Sequence, residues 1–178
     1  MFDGMVLGSE FFRALEREDA ALAAQVARRR CPRCGGPLHR ADYKRKPRGG
    51  VFAAAGEAFA RRYSLCCGQC RRRKLPPSLR FLGRRVYLAV VVIVATAVLL
   101  LRAATAAIET AVPTRTLKRW RGWWQGPFRQ SSVFVMLCAR LLLAPSTDTL
   151  PLSMLTGVEG SEVERVAWLL ERLKPLTC

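Results

Sequence analysis

Apolar residues Phe11, Phe12, Leu15, Leu22 and Val26 fall at roughly helical intervals after Ser9, whose hydroxyl suits an N-cap. Asp19 interrupts this stripe, and a break with a second cap is expected there. Residues 1–30 therefore read as a helical N-terminal arm. Between Arg30 and Pro77 the periodicity disappears. Cysteines, Gly35-Gly36, Gly49-Gly50, Pro76-Pro77 and runs of arginine replace it, so residues 31–78 must fold around something other than an apolar core. Helical spacing returns from Leu79 to Trp124, with a turn at Val112-Pro113, and residues 79–129 form a helical core. The tail, residues 130–178, holds two more helical candidates joined by the turn-rich "APSTDTLPLSMLTGVEG". Its last helix opens on the capping box Ser161-Glu162-Val163-Glu164 and carries Val163, Val166, Leu169, Leu170 and Leu173 on one face.

The run from Val86 to Leu101 has no charge. As a helix its sixteen residues rise about 24 Å, short of the roughly 30 Å of a bilayer's hydrocarbon core. A single span over 86–108 would have to bury Arg102, or let it snorkel. A buried packing helix is the favoured reading, and a membrane-anchored protein is the alternative.

Composition changes the picture through charge. The 178 residues carry a formal +17, and 51% of them are hydrophobic, enough for an ordinary core. The charge is localised: Arg28 to Arg85 holds eighteen Lys and Arg against only Asp42 and Glu57. A polyanionic partner is expected, nucleic acid before anionic lipid or an acidic protein. The first residues lack the features of a secretory signal, so a cytoplasmic, nucleoid-associated protein is expected, with its thiols reduced.

Five of the seven cysteines lie between positions 31 and 70. Cys31-x-x-Cys34 and Cys67-x-x-Cys70 form the pattern of four thiolates that closes tetrahedrally on one structural zinc ion (Zn2+). Such a closed site leaves no position for catalysis. Cys66 is a candidate substitute for Cys67, and His39 a competing ligand. The 32-residue spacer exceeds the usual length of about 20, so the insert around "RKPRGGVFAAAGEAFARRYS" must loop out or add a short helix. Cys138 and Cys178 stand alone.

The stretch "AATAAIETAVPTRTLKRWRGWW" fits a helix-turn-helix. Ala107 sits at the helix crossing, Ala111 in the turn and Val112 after it, with Leu117 and Trp120 as anchors of a second helix opened by Pro113 or Thr114. The remaining face of that helix carries Arg115, Lys118 and Arg119, suited to phosphates and base edges. Trp120, Trp123 and Trp124 share helical spacing, and at least one is expected in the core.

The order "CPRCGG", "CCGQCRRR", "KLPPSLRFLGRR", an apolar helix and "AIETAVPTRTLKRW" resembles the N-terminal zinc-ribbon plus helix-turn-helix module of bacterial insertion-sequence transposases and their small accessory proteins. The resemblance covers about Cys31 to Trp124. It implies Cys31, Cys34, Cys67 and Cys70 as zinc ligands, and Arg115, Lys118 and Arg119 as DNA contacts. It also implies a role in transposition and DNA recombination. The full-length transposases carry three metal-binding carboxylates in a further domain, and the tail here offers only a few acids in helix and loop. No nucleophile elbow or phosphate loop is present.

The resulting expectation is a mainly α protein with a small embedded zinc ribbon and a helix-turn-helix-like helical core. It would be no enzyme but a zinc-dependent DNA-binding accessory or regulatory factor of a mobile element. Arg71, Arg72 and Arg73 would hold phosphates. An adaptor subunit that docks a transposase or recombinase through its tail helices is a further alternative. A homodimer and RNA in place of DNA both stay open.

Overall fold

The computed structural model describes residues 7–44, 57–82, 88–101, 112–141 and 144–177. It is mostly helical with a small sheet. Helix α1 (Ser9–Arg28) runs unbroken through Asp19, and its N-cap is Gly8, with no side-chain cap bond. Both features correct the reading of the arm. Asp19 faces inward with Phe12 and Leu15, because its carboxylate has partners far along the chain.

Beyond α1 come β1 (Leu38–Arg40), β2 (Tyr43–Lys44), a 3-10 turn (Glu57–Ala60), β3 (Arg61–Arg62), β4 (Leu65–Cys67) and β5 (Arg73–Lys74). Three strands form one antiparallel sheet in the order β1-β4-β5, with Leu38 opposite Cys67 and Leu65 opposite Lys74. β2 and β3 pair as a separate ribbon, Tyr43 opposite Arg62. Cys31, Leu38, Leu65 and Cys67 make a small buried cluster here, with Val26 and Ala27 of α1 packed against it. Strands of two or three residues bury too little apolar surface to stand alone, so another constraint must hold them.

The main core is separate. Its centre is α2 (Ala89–Leu101), in which every residue from Ala89 to Ala97 is at most 4% exposed. Thr96 is tolerated among them because its hydroxyl donates to the carbonyl of Val92 at 2.7 Å. Around α2 pack α3 (Thr114–Trp123), α5 (Leu152–Thr156) and α6 (Glu162–Leu173), and α4 (Ser132–Cys138) lies against α6. Phe12 and Leu15 of α1 and Phe59 of the insert join the same core. Over the nine residues from Ala89 to Ala97, α2 is covered by its own chain. Among the described residues no helix is long and apolar enough to cross a membrane. Residues 102–108 of the span considered above lie outside the described residues.

The tail follows its local signals at the last helix. Ser161 accepts from the Glu164 amide while the Glu164 carboxylate accepts from the Ser161 amide, and Val166, Leu169, Leu170 and Leu173 are buried. That apolar stripe packs into the chain's own core. α5 was hidden in the turn-rich linker.

A buried polar hub ties the ribbon to the core. Asp19 accepts from the Ser78 hydroxyl at 2.5 Å, the Leu79 amide at 2.6 Å and Arg80 Nε at 2.8 Å. The Arg80 guanidinium sits among Phe59, Tyr63 and Phe81, 4.7 to 5.3 Å from the ring centres. Arg62 donates to the carbonyls of Pro76 and Thr177, and the Ser78 amide donates to the Thr177 hydroxyl. Ion pairs this deep hold only when the surrounding hydrogen bonds are made. α1, the Pro76–Arg80 segment and the final turn are thereby fixed to one another.

Candidate metal centre and basic surface

Two backbone knuckles face each other at one end of the three-stranded sheet. In the first, the Cys31 amide donates to the Gly36 carbonyl at 2.9 Å and the Gly35 amide to the Cys31 carbonyl at 2.9 Å. In the second, the Cys67 amide donates to the Arg72 carbonyl at 3.0 Å and the Arg71 amide to the Cys67 carbonyl at 3.1 Å. The residue after the second cysteine of each knuckle is left-handed, Gly35 at φ +69° and Arg71 at φ +59°. Two fragments 36 positions apart thus take one shape. That shape turns both sulfurs of each pair the same way.

The Sγ atoms of Cys31, Cys34, Cys67 and Cys70 all lie within 4.8 Å of one another, with Cys34 to Cys67 at 3.4 Å and Cys31 to Cys70 at 3.7 Å. A metal bound to four sulfurs at about 2.3 Å sets tetrahedron edges of about 3.8 Å. The cluster therefore fits a tetrahedral ion, and the set can hold a metal. The donors are all soft sulfur, and none is a carboxylate or water-bearing position.

Backbone amides bring two of the four thiols below their ordinary value. The Cys67 thiol is pulled down to about 6, foremost by the Cys70 amide and also by that of Gln69. The Cys70 amide approaches the Cys67 sulfur at 3.5 Å. Amides of Arg33 and Cys34 lower Cys31 in the same way. The Arg72 amide favours the Cys70 thiolate, yet burial and the sulfurs of Cys34, Cys67 and Cys31 push this thiol up to about 11. Four sulfurs cannot all carry charge at such distances without a cation between them.

Cys66 does not join the cluster. β4 alternates, so Leu65 and Cys67 face inward while Cys66 points to the opposite side, where its sulfur approaches the Arg71 carbonyl at 3.4 Å. His39 lies opposite Cys66 in the sheet and is likewise outside the cluster. Of the two adjacent cysteines, this alternation puts Cys67 in the cluster and sets aside Cys66 as its candidate substitute. Small residues protect the knuckles: a Cβ on Gly36 would stand 3.0 Å from the Cys67 sulfur, and one on Gly68 would stand 2.9 Å from His39 Nε2.

The basic residues separate into two groups. Arg28, Arg29, Arg30, Arg33, Arg71, Arg72 and Lys74 are exposed around the knuckles and sheet. Arg73 is exposed too, but it donates to the Ala41 carbonyl at 3.0 Å and the Ser64 hydroxyl at 3.3 Å, and so serves the ribbon itself. Arg62 and Arg80 are buried in the hub. Sequence counting placed them all in one cationic field, because burial depends on partners far along the chain.

On α3, Arg115, Lys118 and Arg119 are exposed, Trp120 is buried and Leu117 is packed against the core. Val112 is buried, and Pro113 caps the helix. Trp124 and Phe128 continue into a π turn (Trp124–Phe128) and stack edge to face at 4.8 Å. The first helix of the expected helix-turn-helix, with Ala107 and Ala111, lies outside the described residues, as do Arg84, Arg85 and Cys178. No family model matches the chain, and no similar curated protein or solved structure was found.

Proposed function

We propose that this chain is a zinc-dependent DNA-binding protein in which a four-cysteine zinc ribbon presents a basic surface to the phosphate backbone. The observation that carries the reading is the cluster of four thiols under a surface studded with Arg28, Arg29, Arg30, Arg33, Arg71 and Arg72. Four soft sulfurs in a tetrahedral set favour zinc, with an iron–sulfur centre as the other chemistry of such sites. The short strands have little core of their own, so the metal supplies their stability. Arginines fixed on a metal-held frame would engage phosphates without sequence preference, and the exposed face of α3 would add register and base contacts through Arg115, Lys118 and Arg119.

Resemblance to the zinc-ribbon and helix-turn-helix module of insertion-sequence transposases suggests the setting, an accessory or regulatory factor of a mobile element that works beside a transposase or recombinase. The test is a titration of duplex DNA binding against salt. The affinity should fall steeply on a logarithmic plot, as counterions are released. A flat plot would overturn the reading, and equal affinity for single-stranded RNA would redirect it to RNA.

A further inference from the structure

A concave site that contains none of the cysteines lies where α1, α4 and the end of α6 converge. It is a cavity of about 650 Å³, within the roughly 300 to 1,000 Å³ typical of small-molecule sites. Leu22 of α1 and Val133, Met136 and Leu137 of α4 give it an apolar wall. Met136 is 52% exposed and its neighbour Val135 is 64% exposed, the two large apolar side chains left open among the described residues.

The rim is cationic. Arg140, Arg172 and Lys174 line it, with Glu171 as its acid. Glu171 forms its ion pair with Lys174. Neither Arg140 nor Arg172 has a carboxylate within ion-pair distance among the described residues. The Arg172 guanidinium lies over the Trp168 ring at 4.2 Å and donates to the Trp168 carbonyl at 3.2 Å, while its Nε finds no protein partner. Burial and the nearby Arg140 disfavour its charge, while Glu171 favours it in part. Two guanidiniums and Lys174 beside an apolar wall outnumber the one carboxylate, Glu171, and make a polarised site with a cationic rim.

We infer that this cavity binds a small amphipathic organic anion, its apolar body against Leu22, Val133, Met136 and Leu137 and its carboxylate or phosphate head between Arg140 and Arg172. A guanidinium recognises either head through paired N–H donors. The head would offset the mutual repulsion of the two arginines, and the body would cover Met136. This function is separate from the cysteine cluster and from DNA binding.

Isothermal titration of the full zinc-loaded chain with decanoate tests it, with decanol and acetate as partial probes. Decanoate should bind saturably at about one per chain, and acetate should give no saturable heat. Decanol should bind at least about tenfold more weakly, since it lacks the charge-assisted bonds. Arg140→Gln and Met136→Asp alter exposed side chains and should each weaken decanoate binding at least about tenfold. Arg115→Ala should leave it unchanged. The inference falls if decanoate gives no saturable heat, if decanol binds as tightly, or if Arg140→Gln and Met136→Asp both bind like the parent. It also falls if the face is instead covered by a second chain, with concentration-dependent dimerisation abolished by Met136→Asp and no decanoate binding.

Discussion

Gly35 and Arg71 occupy the same backbone position in the two knuckles, both left-handed, both donating to the carbonyl of the first cysteine of their pair. Only one of them is glycine. An L-residue in this region carries a cost of about 1 to 2 kcal/mol, which glycine escapes. Gly35→Ala should therefore destabilise the metal-loaded chain by about 1 kcal/mol, although no atom lies within 4 Å of the added Cβ. Arg71→Gly should be neutral or stabilising, by less than about 1 kcal/mol, because relief of strain is offset in part by the freer unfolded chain. Denaturant midpoints decide the matter, and two changes of the same sign would contradict the equivalence.

Cysteine replacement should separate neighbours. Cys67→Ser should lose bound metal, whereas Cys66→Ser should retain the parent's metal content, since the Cys66 sulfur lies on the other face of β4. Metal per chain by atomic emission, read beside the melting temperature, distinguishes the two. Equal loss in both variants would make Cys66 a ligand and contradict its place on the other face of β4.

The hub offers a test of a buried charge pair. Asp19→Ala leaves Arg80 buried without its carboxylate and should cost about 3 to 5 kcal/mol. The double variant Asp19→Ala with Arg80→Met should be less destabilised than Asp19→Ala alone, because no charge is then stranded. Chemical denaturation of the parent, the single and the double variant gives the comparison.

Acid should expose the capping box. The Ser161 hydroxyl and amide hold the Glu164 carboxyl below the ordinary glutamate range. A depressed folded value stabilises the protein above the unfolded value of about 4.3 and loses that contribution as pH falls through the folded value. Ser161→Ala should cost about 1 kcal/mol at neutral pH, and the gap from the parent should narrow below pH of about 4. A gap that stays constant across this window would show that Glu164 plays no part in the cap.

The basic residues should also divide. Arg72→Ala, Arg115→Ala and Lys118→Ala should each lower DNA affinity and reduce the salt slope by about one phosphate contact. Arg73→Ala should instead lower the stability of the ribbon, through its lost bonds to Ala41 and Ser64. Binding and melting curves on the same preparations separate these effects.

What the sequence disclosed was local. The capping box at Ser161 and the stripe from Val166 to Leu173 lie within one helix, and the two Cys-x-x-Cys pairs carry their own knuckle geometry. The apolar run around Ile93 was readable as a buried helix because its length falls short of a bilayer. What stayed hidden depended on distant partners. Asp19 looked like a helix break because Ser78 and Arg80, its partners, are about sixty residues away. The choice between Cys66 and Cys67 needed the register of β4 against β1. α5 was obscured by the prolines and threonines around it, which read as turns.

If a metal-held ribbon binds DNA, duplex affinity depends on the metal, and it can be read on the full chain at fixed salt before and after a chelator removes the metal and zinc restores it. Affinity should fall at least about tenfold on removal and return with one zinc per chain. Unchanged affinity in the metal-free chain would contradict it.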